Sequence, residues 1–319
     1  MFNRPRLLDQ VRDAIHKRHY SHRTEKQYVG WIRRFIRFHG MRHPAEMGGA
    51  EVEAYLSHLA TQRHVASATQ AQALAALLFM YKRVLEIDLP WLGNVTRAQR
   101  PKRLPVVLSR AEVRQVLAQL HGDYWLIASL LYGSGLRLME SLRLRVKDLD
   151  LDRRCLLVRD GKGAKDRVTI VPDSLVNALC ARLKVLRAAH EAALAAGYGG
   201  VELPYALSGK YPRAHLDWGW QYVFPAAAPS RDPRTGAWRR HHIHEQSVQR
   251  VVREAVRKSR LARPVSCHTF RHCFATHLIE AGADIRTVQE LMGHASVKTT
   301  QIYTHVLNRG GIAARSPLD

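Results

Sequence analysis

Between residues 266 and 305 the chain reads Ser-Cys-His-Thr-Phe-Arg-His at one end, Leu-Met-Gly-His in the middle and Tyr-Thr-His at the other. The chemistry these runs offer is narrow. Tyr303 supplies an oxygen nucleophile, Arg271 a planar fork that fits phosphate, and His268 and His294 proton carriers or phosphate donors. A phosphodiester attacked by tyrosine keeps its energy in a phosphotyrosine bond and draws on no nucleotide cofactor. No acidic cage lies nearby, so two-metal nuclease chemistry is not indicated. Taken singly, each residue has a plain structural alternative: His268 as a helix cap, Arg271 paired with a carboxylate, Tyr303 as core. The ordered set is far more specific: His-x-x-Arg, then Leu-Met-Gly-His, then a tyrosine nine residues on.

The elements that must position these groups are legible nearby. His268 and Arg271 share one face of a helix that begins at or before His268. Gly282 reads as its stop, Asp284 as the cap of a second helix and Gly293 as that helix's end. Ser296 opens a third helix that carries Tyr303 about two turns in. Upstream, Gly133-Ser134-Gly135-Leu136-Arg137 places Arg137 at a helix start, where a phosphate is doubly favoured, and Glu140 follows one turn later. Leu142, Leu144 and Val146 predict a switch to extended structure, and Asp148–Asp152 a turn. Strand signals at Cys155–Val158 and Val168–Val171 bracket Gly161-Lys162-Gly163-Ala164-Lys165, a hairpin whose tip presents Lys162 and Lys165. On its own Lys162 is either a groove reader or a turn residue.

The rest of the chain frames a partner. With 319 residues, two domains or one large one are expected, and the split falls at 1–100 and 101–319. The first part reads as four short helices with arginines beside the apolar stripe of Tyr28, Trp31, Ile32, Phe35 and Ile36. Pro90–Pro105 is an extended basic linker in which Lys102 and Arg103 are suited to a phosphate backbone. Ser109 and Glu112 then form a capping box. The expected fold is mainly α with a small β-hairpin or sheet, an α+β arrangement. A net charge of +23 points to nucleic acid as the extended polyanionic partner. The N-terminus leads into charged sequence and not into a signal-peptide core, and no apolar run spans a bilayer. The four cysteines show no Cys-x-x-Cys spacing, so a reducing cytoplasm is expected, without zinc or a disulfide framework.

Between the hairpin and His268 lies an unusual stretch in which Tyr205, Tyr211, Trp218, Trp220, Tyr222, Phe224 and Trp238 are interleaved with basic residues. Such a mixture suits stacking on unpaired bases, or else a satellite core beneath a loop. Trp218, Trp220, Arg239, Arg240, His241 and His242 are the candidate DNA contacts. The run His241-His242-Ile243-His244 lacks a second ligand pair at zinc spacing, so no metal is assigned.

These motifs carry a resemblance. Gly-Ser-Gly-Leu-Arg-Leu-Met-Glu around Arg137 is similar to the first box of the tyrosine recombinase (phage-integrase-type) family, and the runs through Tyr303 are similar to its second. Arg137, Lys162, His268, Arg271, His294 and Tyr303 match the family's six catalytic positions. Within the family the chain most resembles the integron integrases. The resemblance rests on Arg-Thr-Glu-Lys-Gln-Tyr-Val near the start, Arg-Ser-Pro-Leu-Asp at the end and extra sequence around 188–224. It implies an N-terminal helical, SAM-like core-binding domain ahead of a catalytic domain. It also implies strand exchange through a 3′-phosphotyrosine without cofactor, on duplex and folded single-stranded cassette sites. In the implied chemistry Lys162 protonates the leaving 5′-oxygen and His268 moves the tyrosine proton. A homotetramer is implied, joined through the C-terminal tail, in a bacterial cytoplasm. A type IB topoisomerase, a duplex-only recombinase and a basic DNA-binding regulator are the alternatives.

Overall fold

A computed structural model describes residues 6–89, 105–159, 166–204, 207–232, 236–297, 299–301 and 303. Lys102, Arg103, Lys162 and Lys165 lie outside the described residues, as does most of the basic linker. The chain divides into two compact units, residues 1–103 and 104–319.

In the first unit, α1 (Leu7–His16), α2 (His22–Phe38), α3 (Gly49–Thr61) and α4 (Ser67–Met80) each turn one apolar stripe inward. Val11 and Ile15, Ile32 and Phe35, Val52 and Leu56, and Leu77 and Met80 meet in a single core, as spacings of three and four residues dictate. Ser21 starts α2 by accepting the Thr24 amide at 3.2 Å. A π-helical turn, Tyr81–Leu85, follows α4, and the buried Tyr81 hydroxyl donates to the Met47 carbonyl at 3.2 Å.

The second unit opens with the expected box. Ser109 Oγ accepts the Glu112 amide at 3.1 Å and the Glu112 carboxylate accepts the Ser109 amide at 2.7 Å, starting α5 (Arg110–Leu117). Helix α6 (Gly122–Gly133) is apolar on nearly every side because neighbours surround it, and Leu126, Ile127, Leu130 and Leu131 are buried. After α7 (Leu138–Leu142) come β1 (Leu149–Asp150), β2 (Cys155–Val158) and β3 (Arg167–Ile170), antiparallel in that order with Leu156 opposite Thr169. Next are α8 (Asp173–Ala195), α9 (Leu207–Lys210) and a two-stranded ribbon of β4 (Ser230–Arg231) and β5 (Trp238–Arg239). Helices α10 (Glu245–Lys258), α11 (Cys267–Glu280) and α12 (Ile285–Met292) complete the unit, and residues 297, 299–301 and 303 are helical again. The fold is mainly helical with small sheets, as the sequence predicts.

The extended stretch expected at Leu142, Leu144 and Val146 is short: Leu142 ends α7, Arg145 is extended and forms an isolated antiparallel bridge with Tyr222, and Val146 begins a 3-10 turn, Val146–Asp148. Leu142 and Leu144 are buried, and the turn is held by Asp148, whose carboxylate accepts the Arg145 amide at 3.2 Å. Residue 188 lies within α8, whose buried face of Leu179, Leu186, His190 and Ala193 keeps helical spacing to the end.

Candidate active site

The centre of the site is a carboxylate. Glu140 Oε2 accepts the Arg137 amide at 2.8 Å, which starts α7, while Oε1 takes Arg137 NH1 at 2.6 Å. Arg167, from β3, donates NH1 to Oε1 at 3.0 Å and NH2 to Oε2 at 2.7 Å. Arg271 NH1 comes within 3.7 Å of Oε2. Burial alone would raise the Glu140 carboxyl, but the hydrogen bond and charge of Arg167, with the backbone and side-chain hydrogen bonds of Arg137, hold it down at about 2. Three guanidiniums thus surround one carboxylate. The cluster has surplus positive charge where Arg271 is only 1% exposed, an arrangement that is costly without an anion.

Backbone geometry makes this approach feasible. Gly135, at φ +63°, turns so that its carbonyl accepts from Arg271, and a Cβ there would run into the Phe274 ring. Gly293 ends α12 in the left-handed region, and a Cβ on it would lie 2.7 Å from Arg167 Cδ. Arg167 Nε also donates to the Leu291 carbonyl at 2.9 Å, tying β3 to the exit of α12.

Arg271 donates to the carbonyls of Gly135 and Met292, and its NH2 lies 3.4 Å from His294 Nε2. Burial, then the Arg137 charge, brings its pKa down to about 9 against the pull of Glu140, so it stays a cation at neutral pH. His294 Nδ1 meets Thr300 Oγ1 at 3.0 Å. Burial and the charges of Arg271 and Arg137 push its imidazole to about 3, which keeps it neutral. Tyr303 is 2% exposed, its ring stacked on His294 with centroids 6.2 Å apart and packed among Phe274, Val288 and Met292. Burial raises its hydroxyl pKa while Arg271 and Arg137 oppose the rise. Its oxygen lies 2.9 Å from His272 Nδ1, and the His268 ring meets His272 edge-on at 4.5 Å. Arg137, His268, Arg271, His294 and Tyr303 are therefore gathered in one place. Two neighbours escaped the sequence reading. His272 was discoverable, since it shares a helix face with His268 and Arg271. Arg167 was not, because its role needs the contact between β3 and α12.

The aromatic segment is bonded into the catalytic unit. Val146 N donates to Gln221 O at 3.0 Å, Val223 N to Leu144 O at 2.9 Å and Ile243 N to Phe224 O at 2.9 Å. Arg145 pins it further, donating to the carbonyls of Trp220 at 2.7 Å and Glu202 at 2.8 Å. The two tryptophans have different surroundings. Half-buried Trp218 packs toward α8, 5.9 Å from the His190 ring and 5.3 Å from the Arg187 guanidinium. Trp220 faces a cleft of about 550 Å³ with Arg137, Arg143, Arg159, His241 and His242, and Lys147 Nζ covers its ring at 2.9 Å. His242 is committed to the Ile243 carbonyl at 2.8 Å, whereas His241 Nε2 is buried with no hydrogen-bond partner among the described residues. Arg239 sits 3.7 Å from Asp232, and the Arg240 amide donates to Gly200 at 3.0 Å. His244 caps α10, accepting the Gln246 amide at 3.2 Å, so the histidine run is spent on structure at that end. No helix among the described residues is long and apolar enough to cross a membrane.

Comparison with known proteins agrees with this arrangement. Residues 107–309 match the phage integrase family, and residues 7–91 match the phage integrase N-terminal SAM-like domain. An integrase/recombinase from Escherichia coli is 52% identical over 98% of this chain and 93% of its own length. Tyrosine recombinase XerD of Agrobacterium fabrum is 32% identical over 81% of this chain and 76% of its own. The crystal structure of the XerH site-specific recombinase bound to difH substrate, a pre-cleavage complex, shares the fold. Its TM-score is 0.62 at 18% identity, over 97% of this chain and 85% of that one. Both halves of the molecule, the helical unit and the unit that gathers Arg137, Arg271 and Tyr303, thus have the same relatives, and the chain belongs to the phage integrase family as a site-specific tyrosine recombinase.

Proposed function

We propose that this recombinase cuts and rejoins DNA with Tyr303 as nucleophile. Tyr303 attacks the scissile phosphate, a 3′-phosphotyrosine forms and a 5′-hydroxyl leaves. Arg137 and Arg271 hold the non-bridging oxygens as charge develops, and His294 donates to the phosphate once its Nε2 carries the proton. Lys162 is assigned to the leaving oxygen. A second 5′-hydroxyl reverses the step, so the outcome is strand exchange and not hydrolysis. The observation that carries this reading is the surplus of positive charge around Glu140: three guanidiniums, one carboxylate and a buried tyrosine beside them. A phosphodiester is the anion that such a cluster fits. The overall charge of +23 supports DNA as its source.

The finer reading is that the sites are gene-cassette sites, one a folded single strand with bases pushed out of its stem and the other a duplex. It further has four protomers assembling through the C-terminal tail, in the bacterial cytoplasm. The integron-type motifs and the aromatic segment support it. Trp220, beside Arg137 and His241 in the cleft, is the stacking candidate, whereas Trp218 is placed as packing against α8. Trp220→Ala is expected to weaken binding to a hairpin with extrahelical bases by about tenfold to a hundredfold, a loss of ~1–3 kcal/mol for one stack. Binding to the same hairpin with those bases deleted should hardly change. Equal losses on both hairpins in a folded protein would make Trp220 a packing residue. The broader test is recombination of a folded single-stranded cassette site against its duplex form. Preference for the duplex would restrict the enzyme to duplex sites.

A further inference from the structure

His268, Arg271 and His272 lie at i, i+3 and i+4 on α11, so one helix face carries all three. Of the two histidines on this face, only His272 hydrogen-bonds the tyrosine among the described residues. His272 Nδ1 is 2.9 Å from Tyr303 Oη, while no hydrogen bond joins His268 to Tyr303 among the described residues. Because Tyr303 is 2% exposed, bulk water has little access to compete as the acceptor.

We propose that His272 is a catalytic residue, the base that receives the Tyr303 proton as the tyrosine oxygen attacks phosphorus. The proposal rests on the reading of Tyr303 as nucleophile. In the forward step the Tyr303 O–H proton passes to His272 Nδ1, the Oη–P bond forms and the P–O5′ bond breaks. The 5′-oxygen takes its proton from Lys162. In the reverse step the incoming 5′-hydroxyl gives its proton back to Lys162, and the His272 imidazolium returns its own to Tyr303. In this step neutral His272 carries its hydrogen on Nε2, leaving Nδ1 to accept.

The surroundings make this base conditional on substrate. The groups facing His272 are His268 and Arg271 on its own helix and Tyr303 from the last helical turns. Burial first, then His268 and Arg271, keeps its imidazole at about 4, too weak a base to ionise a buried tyrosine unaided. A phosphodiester seated between Arg137 and Arg271 brings negative charge that offsets the cations opposing protonation. Proton transfer is therefore favoured only when the scissile phosphate is in place. His268, packed against the His272 ring, becomes a positioning residue.

The test is single-turnover cleavage of a nicked suicide substrate by the wild type, His272→Ala, His272→Asn and His268→Ala. At neutral pH both His272 variants should bind DNA within a few fold of wild type and cleave about 10²- to 10³-fold more slowly. Their rates should climb with pH where the wild type is flat, and added imidazole should restore part of the His272→Ala rate. A substrate with sulfur at the bridging 5′ position needs no leaving-group proton. It should rescue a Lys162 variant and leave the His272 deficit intact. His272→Asn keeps a polar group near the tyrosine oxygen and serves if the alanine variant does not fold. The proposal is overturned if His272→Asn cleaves at a near wild-type rate, or if the pH dependence and imidazole rescue belong to His268→Ala. A Tyr303→Phe control that still forms adduct would instead sink the nucleophile reading beneath it.

Discussion

Tyr303→Phe is expected to leave DNA bound and uncleaved. Phenylalanine keeps the ring that packs among Phe274, Val288 and Met292 and stacks on His294. What it deletes is one oxygen, with its hydrogen bond to His272. Loss of that bond costs about 1 kcal/mol of stability, too little to unfold a unit with this much core. Removing the nucleophile, by contrast, leaves no route to a covalent intermediate. A denaturing gel with a labelled, nicked substrate should show the slow-migrating adduct in the wild type and none in the variant. DNA affinity should stay within a few fold. Adduct persisting in the variant would place the nucleophile elsewhere.

Glu140→Gln should be nearly as damaging, for an electrostatic reason. The carboxylate is the anion held by Arg137 and Arg167 and approached by Arg271, and its side chain is 9% exposed. A neutral amide leaves those guanidiniums facing one another, and breaking a buried ion pair in this way costs about 3–5 kcal/mol. Cleavage should fall at least tenfold even under conditions where the variant is folded, because Arg137 and Arg271 lose their registration. The pH dependence has a definite sign. A carboxyl held at about 2 in the folded chain, against 4.5 as its ordinary value, adds stability that is fully present above about pH 4.5. That contribution, ~3 kcal/mol, is lost as pH falls from 4.5 toward 2. Urea denaturation across this window should show a shallower acid slope in the glutamine variant than in the wild type. Parallel slopes would mean that the carboxylate is not the hub of the cluster.

Much of this site was readable in advance because its parts sit at helix ends. Asp284 caps α12, accepting from the Arg286 and Thr287 amides, and Gly293 closes it at φ +60°, as their residue types require. Arg137 stands at the start of α7 just after Gly135, whose φ of +63° and close approach to the Phe274 ring suit glycine. Local chemistry carries that information, so sequence spacing reports it. The failures share a different cause. Leu142 and Leu144 alternate like a strand, yet Leu142 enters the core from the end of α7 and Leu144 from the short extended step before the Arg145 bridge, since burial fixes which side chains go inward and not which backbone delivers them. Arg167 lies far from Glu140 and Leu291 in sequence, and nothing near it shows that one guanidinium would serve both. The division of labour between Trp218 and Trp220 was likewise invisible. It arises from α8 on one side and Lys147 on the other.

The most direct measurement is the identity of the residue that becomes attached to DNA. A suicide substrate nicked beside the scissile phosphate traps the intermediate, and digestion followed by mass spectrometry locates the bound nucleotide. The mechanism proposed here predicts one modified peptide, carrying a 3′-phosphate ester on Tyr303. Attachment to any other side chain, or cleavage that releases free phosphate ends with no protein attached, would contradict it.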